Sequence, residues 1–169
     1  MNPDAELPRH SVSASGIVVR DDGHVLAIKR ADDGRWVPPG GVLELDETPF
    51  EGVVREVFEE TGIQVEPERL TGVYKNMRQS VVSLGILCRP VSGEPHPSDE
   101  ATSVVWLLPS EATEVMPEAR AVRVMDALNA QWPCSSEAPT VGARVGAHGS
   151  PEVWSEPVRR GYLAAGTAM

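Results

Sequence analysis

Apolar residues near the start of the chain come in short runs broken by turn residues. "SVSASGIVVR" (11–20) and "HVLAIKR" (24–30) flank "DDG". Two such runs around Asp-Gly predict strands joined as a hairpin. "ADDGR" is a second loop, and "WVPPGG" runs extended into a glycine turn. The period then changes. At about 100° per residue, Phe50, Val53, Val54, Val57 and Phe58 share one helix face. Thr48 is a good N-cap, Pro49 suits the first helical position, Glu51 completes a capping box, and Gly62 suits a C-terminal stop. The spacing predicts a helix over 49–61. Three β-branched runs follow, at 69–75, 79–91 and 101–109, and predict strands. Residues 117–132 carry Ala121, Val124, Met125 and Leu128 at helical spacing and predict a second amphipathic helix.

This pattern divides the chain into a polar N-terminal arm (1–11), one α/β domain (12–132) and a C-terminal extension (133–169) rich in Pro, Gly, Ser and Ala. Weak alternation around a Gly-Ser-Pro turn leaves two readings of the extension. One is a disordered tail. The other is a hairpin packed on the body or on a second subunit, which Val153 and Trp154 favour. A homodimer that exchanges this segment is compatible with the sequence.

Composition narrows the function. The chain has 169 residues, 41% hydrophobic and 24% charged, ordinary for a soluble globular protein. Its formal net charge of -10 disfavours nucleic acid as a partner, because backbone binding needs clustered Lys and Arg. The same charge repels anionic substrates unless metal ions or local basic residues compensate. Cys88 and Cys134 lie in no zinc-like cluster and read as reduced thiols. No apolar run reaches the roughly 18 residues of a membrane span, and the N-terminus lacks a signal-peptide pattern. A cytoplasmic location without membrane contact is expected.

The candidate chemistry lies in "GGVLELDETPFEGVVREVFEETGI". Glu56, Glu59 and Glu60 stand at i, i+3 and i+4, opposite the apolar stripe. Like charges at that spacing repel, and acidic groups in the last helical turn oppose the macrodipole. A bound Mg²⁺ or Mn²⁺, hard cations that prefer oxygen, would relieve both effects. The plain alternative is a solvated acidic face. Arg55 stands four residues before Glu59, at ion-pair spacing. Gly40 and Gly41 allow a tight turn and close approach to a ligand. Glu44 and Glu47 support the loop or reach a metal through water. Trp36 either stacks on a substrate ring or belongs to the core.

Gly41, Glu47, Arg55, Glu56, Glu59, Glu60 and Gly62, with apolar Val57 and Ile63, occupy every fixed position of a known signature. In this the sequence resembles the Nudix hydrolases, MutT-like members in particular. The resemblance runs from about residue 11 to residue 132. It implies an α/β/α sandwich with a mixed β-sheet between helices. It implies a Mg²⁺ site, Mn²⁺ being the alternative, built from Glu56, Glu59, Glu60 and the Gly41 carbonyl, with Arg55 orienting a catalytic glutamate. It also implies a further carboxylate from the loop before the last strand, Glu100 rather than Asp99. The base is then Glu59, Glu60 or Glu100. Gly40, Gly41 and Trp36 are the substrate-binding candidates. The implied reaction is hydrolysis of a phosphoanhydride in a nucleoside diphosphate linked to another moiety. Family submotifs for ADP-ribose or diadenosine polyphosphates are absent, since Arg78, Gln79, Ser80 and Val81 stand where they would fall. A nucleoside triphosphate or modified nucleotide is the favoured substrate. ADP-ribose, a nucleotide sugar or a non-catalytic ligand-sensing role are the alternatives.

Overall fold

The computed structural model describes residues 9–129. The chain order is β1 (Ser11–Val18), β2 (Val25–Arg30), β3 (Trp36–Val37), β4 (Gly40–Val42), α1 (Pro49–Thr61), β5 (Gln64–Asn76), β6 (Val81–Ser92), β7 (Ala101–Leu107), α2 (Pro109–Val115) and α3 (Glu118–Leu128). Four strands form one sheet in the order β4-β1-β6-β5, and three form another in the order β3-β2-β7. The first is mixed. β1 runs parallel to β6, while the β1–β4 and β5–β6 pairs are antiparallel. The fold is α/β with helices on both sides, as expected.

Alternation along the strands builds the layers. Ala14 and Val18 of β1, with Leu26 of β2, face α1 and pack with Val53, Val57, Ile86 and Cys88. Ile17, Val25 and Ala27 point the other way, onto Ala112 of α2, Met116 at its C-cap, and Ala121, Val124 and Ala127 of α3. β1 is therefore buried on both faces. Cys88 lies in the first of these cores, where burial pushes its thiol up to about 12, so it is chemically quiet.

α1 has the predicted bounds and both predicted caps. Thr48 accepts from the Glu51 N–H while the Glu51 side chain accepts from the Thr48 N–H, and Gly62 closes the helix at φ 73°. Its core face is narrower than the periodicity predicts. Val53 and Val57 are fully buried, but Phe50 and Phe58 at the margins of the stripe are 45% and 49% exposed. α3 differs similarly: Ala121, Val124 and Ala127 carry its contact, and Met125 is 40% exposed.

Three further expectations change. The "DDG" segment does reverse the chain, with Gly23 N–H donating to the Arg20 carbonyl at 2.8 Å. Only one isolated bridge, Val19 to Val25, follows it, and β1 and β2 enter different sheets instead of pairing as a hairpin. β5 begins at Gln64 rather than 69. α2 was not anticipated, because its one turn or two bury only Ala112 and leave little periodicity to read. The predicted second helix ends at Leu128; residues 130–132, the proposed C-terminal extension and residues 1–8 lie outside the described residues. Among the described residues no helix is long and apolar enough to cross a membrane.

Gly16 sets the distance between β1 and α1. A Cβ there would stand 2.6 Å from Val57 Cγ2 and 3.2 Å from Val53 Cγ2. Gly16→Val is expected to force the helix off the sheet and cost about 2–3 kcal/mol, as overpacked cores do. Thermal melts check this, and an unchanged melting temperature would contradict the packing.

Candidate active site

Arg55 organises the residues around the start of α1. Its Nε and Nη2 donate to the two oxygens of Glu47 at 3.0 and 2.7 Å, the bidentate geometry that suits a guanidinium. Its Nη1 donates to Glu56 Oε1 and Glu59 Oε2, both at 3.0 Å. Glu47 also accepts from the Glu44 N–H at 2.8 Å, which ties the preceding loop to the helix. The hydrogen bond to Glu47 is the main reason the Arg55 guanidinium binds its proton more tightly than usual, and the same bond holds the Glu47 carboxyl below its ordinary range. The i,i+4 pair with Glu59 is thus one arm of a wider network.

Glu60 corrects the sequence reading. The helical wheel sets it opposite the apolar stripe with Glu59, yet it is only 6% exposed. β4 comes over the end of the helix, and the Gly40 N–H donates to Glu60 Oε2 at 2.7 Å. Burial pushes the Glu60 carboxyl up to about 7, against the Gly40 hydrogen bond and with help from the charges of Glu56 and Glu100. Glu56 is shifted upward as well, by burial first, with Arg55 opposing and Glu59 and Glu100 adding to the rise. Glu100 therefore lies within electrostatic reach of both. The start of β7 places it there, where its backbone carbonyl accepts from the Ala31 N–H at 2.8 Å. Gly41 has no side chain because a Cβ would overlap the Glu56 carboxylate.

Among the described residues no three His, Cys, Asp or Glu side chains already form a metal-coordinating group. Arg55 holds Glu56 and Glu59 while Gly40 holds Glu60, so the carboxylates are restrained apart. The donor set nevertheless fits a hard divalent cation. Burial raises the proton affinity of both Glu56 and Glu60, the charge of Glu56 adds to the rise at Glu60, and a cation beside them would reverse these effects.

A family model described as the NUDIX domain matches residues 9–127. The chain belongs to the Nudix family. A MutT-like protein from Streptomyces ambofaciens is 56% identical over 126 residues, 75% of this chain and 82% of that one. An ADP-ribose pyrophosphatase from Methanocaldococcus jannaschii is 36% identical over 98 residues, 54% of this chain and 57% of that protein. A solved ADP-ribose pyrophosphatase from Streptococcus suis superposes with a TM-score of 0.62 at 25% identity, covering 76% of this chain and 97% of that one. With this family and these relatives, the chain is a Nudix pyrophosphohydrolase.

The Nudix fold brings together Gly40, Gly41, Arg55, Glu56, Glu59, Glu60 and, electrostatically, Glu100. Trp36 sits in β3, half-buried against the core on the α3 side. Two contributors go beyond the roles the sequence reading gave them. Glu47 is the chief partner of Arg55, although its fixed place in the Nudix box marked it. The other is Arg30 at the end of β2, which stands close enough to feel the charge of Glu60.

Glu60 gives a pH signature in the metal-free Nudix protein. Its folded pKa of about 7 lies above the ordinary 4.5. Its contribution is fully present below the unfolded value and is lost as pH rises through 7. Metal-free protein in EDTA is expected to lose on the order of 1–3 kcal/mol between about pH 5 and pH 8 from this group. Glu60→Gln should flatten that part of the profile in urea melts; an unchanged slope would place the Glu60 carboxylate in solvent.

Proposed function

We propose that this Nudix enzyme is Mg²⁺-dependent and cleaves a phosphoanhydride bond in a nucleoside diphosphate linked to another group. One observation carries the reading: the half-buried carboxylate of Glu56 and the buried one of Glu60 lie against glycine backbone at Gly41 and Gly40, with Glu100 in electrostatic reach. Glu56, Glu59, Glu60 and the Gly41 carbonyl would hold the ion, with Mn²⁺ as a substitute. A bound divalent cation offsets phosphate charge and acidifies water at this site.

The chain's own residues supply the rest. Arg55 restrains Glu56 and Glu59 so that little reorganisation precedes reaction. Glu100 is exposed, and neither Arg55 nor Gly40 holds it, so it receives the proton of the attacking water. The water oxygen bonds to phosphorus, the bridging P–O bond breaks, and the leaving phosphate keeps the electron pair. Gly40 and Gly41 let the substrate phosphates approach the backbone closely, and the part of the Trp36 indole that the α3-side core leaves uncovered would be the face for a base.

The substrate class follows the relatives. A nucleoside triphosphate or modified nucleotide is the first reading, in keeping with the likeness to a MutT-like protein and the absence of the ADP-ribose and dinucleoside-polyphosphate submotifs at residues 78–81. The relative named ADP-ribose pyrophosphatase supports ADP-ribose as the second reading. The setting is a cytoplasmic one.

A panel of nucleoside triphosphates, oxidised nucleotides, ADP-ribose and nucleotide sugars, assayed with Mg²⁺ and with EDTA, tests the reaction. Turnover that ignores EDTA would overturn the metal dependence. Glu100→Gln is expected to lower kcat by about 10²-fold or more, the usual worth of a general base. Glu56→Gln should instead raise the Mg²⁺ concentration needed for half-maximal rate; Mg²⁺ titrations of both variants separate the two roles.

A further inference from the structure

α3 carries an arginine where its packing calls for an apolar residue. Arg123 is fully buried between Ala121 and Val124 on the helix face that meets the sheet. Burying a guanidinium is strongly unfavourable unless it is well held. Its Nη1 donates to Ser15 Oγ at 2.7 Å, and its guanidinium lies over the Tyr74 ring, 5.2 Å from the centroid. The Tyr74 hydroxyl donates to Asp126 Oδ2 at 2.7 Å, back on α3. α3, β5 and β1 are thus tied at one point, and on β1 that point is Ser15.

Ser15 is the register partner of Gly40 in β4 and of Gly85 in β6. The β1–β4 contact has no slack there. Gly40 adopts φ 145°, a Cβ on it would overlap the Ala14 carbonyl oxygen, and that Cβ would stand 2.7 Å from Ser15 Cα. The next residue continues the contact, since the Gly16 N–H donates to the Pro39 carbonyl at 2.8 Å. A shift of Ser15 must therefore move Gly40, and the Gly40 N–H is the donor to Glu60.

We infer that Arg123 is a positioning residue for Glu60, acting through Ser15 and Gly40 from the opposite face of the sheet. Its catalytic consequence rests on the proposed role of Glu60 as a metal ligand. The structural coupling does not. Arg123 touches neither the substrate nor the ion; it sets where β1, and hence the Gly40 donor, comes to rest.

The test pairs a direct structural signal with kinetics. The Gly40 amide is followed by ¹⁵N-resolved NMR of the metal-free protein in wild type, Ser15→Ala, Arg123→Met, Arg123→Lys and Val124→Ala. In Ser15→Ala the Gly40 amide proton is expected to move upfield as its bond to Glu60 weakens. Its kcat should fall about tenfold, with KM held within about twofold. Arg123→Lys, which keeps a donor, should restore part of what Arg123→Met loses. Val124→Ala lowers the melting temperature but should leave both signals in place, which separates positioning from general destabilisation. A folded Ser15→Ala protein with the wild-type Gly40 amide would overturn the inference. If wild type turns over no substrate with Mg²⁺, the proposed function fails, while the Gly40 signal still decides the coupling.

Discussion

Glu60 places a carboxylate where the protein disfavours charge, and much of the surrounding structure answers that placement. It lies in the last turn of α1, where the helix dipole is unfavourable to an acid and no basic side chain compensates. Burial and the nearby charges of Glu56 and Glu100 make matters worse. The Gly40 N–H hydrogen bond and the more distant charge of Arg30 are set against these effects. The fold therefore carries a local cost while Glu60 is charged, and that cost is lifted when the carboxyl takes up a proton.

The cost can be carried because the helix itself is anchored firmly. Val53 and Val57 are fully buried against β1 and β6, and Gly16 lets them sit close. Arg55 then ties the helix to the preceding loop through Glu47. β1 links this side of the molecule to the other. Its even-numbered residues build the core under α1, and Ser15 and Ile17 face α3. A strand buried on both faces transmits position between the two layers, since neither face has room to give.

The Nudix box and the helix that carries it were legible because their signals are local. Thr48, Glu51 and Gly62 fix the ends of α1 by hydrogen bonds within a few residues. What stayed hidden depends on contacts between distant segments. Periodicity placed Glu60 on the outer face of the helix, but it could not show that β4 folds over that face twenty residues upstream in sequence. It counted Phe50 and Phe58 into the stripe without knowing how wide the sheet beneath would be. The Asp-Gly turn was real, yet partner choice for β1 went to β6, whose register matches it from Ser11 to Val18. Arg123 reads as a surface charge in any helical wheel, and only the meeting of α3 with Ser15 reveals otherwise.

β5 has a consequence of a different kind. It is the outermost strand of the four-stranded sheet among the described strands, and it is thirteen residues long. A long flat border of unpaired amides invites another chain to add to it. This border is not flat. Its register against β6 shifts at Gln64/Val65, at Pro67/Arg69 and at Leu70/Gly72, and Pro67 offers no N–H. Each shift bends the strand and breaks the repeat that an incoming strand would have to match. The same irregularities that make β5 hard to place from sequence protect the molecule from sheet-to-sheet aggregation.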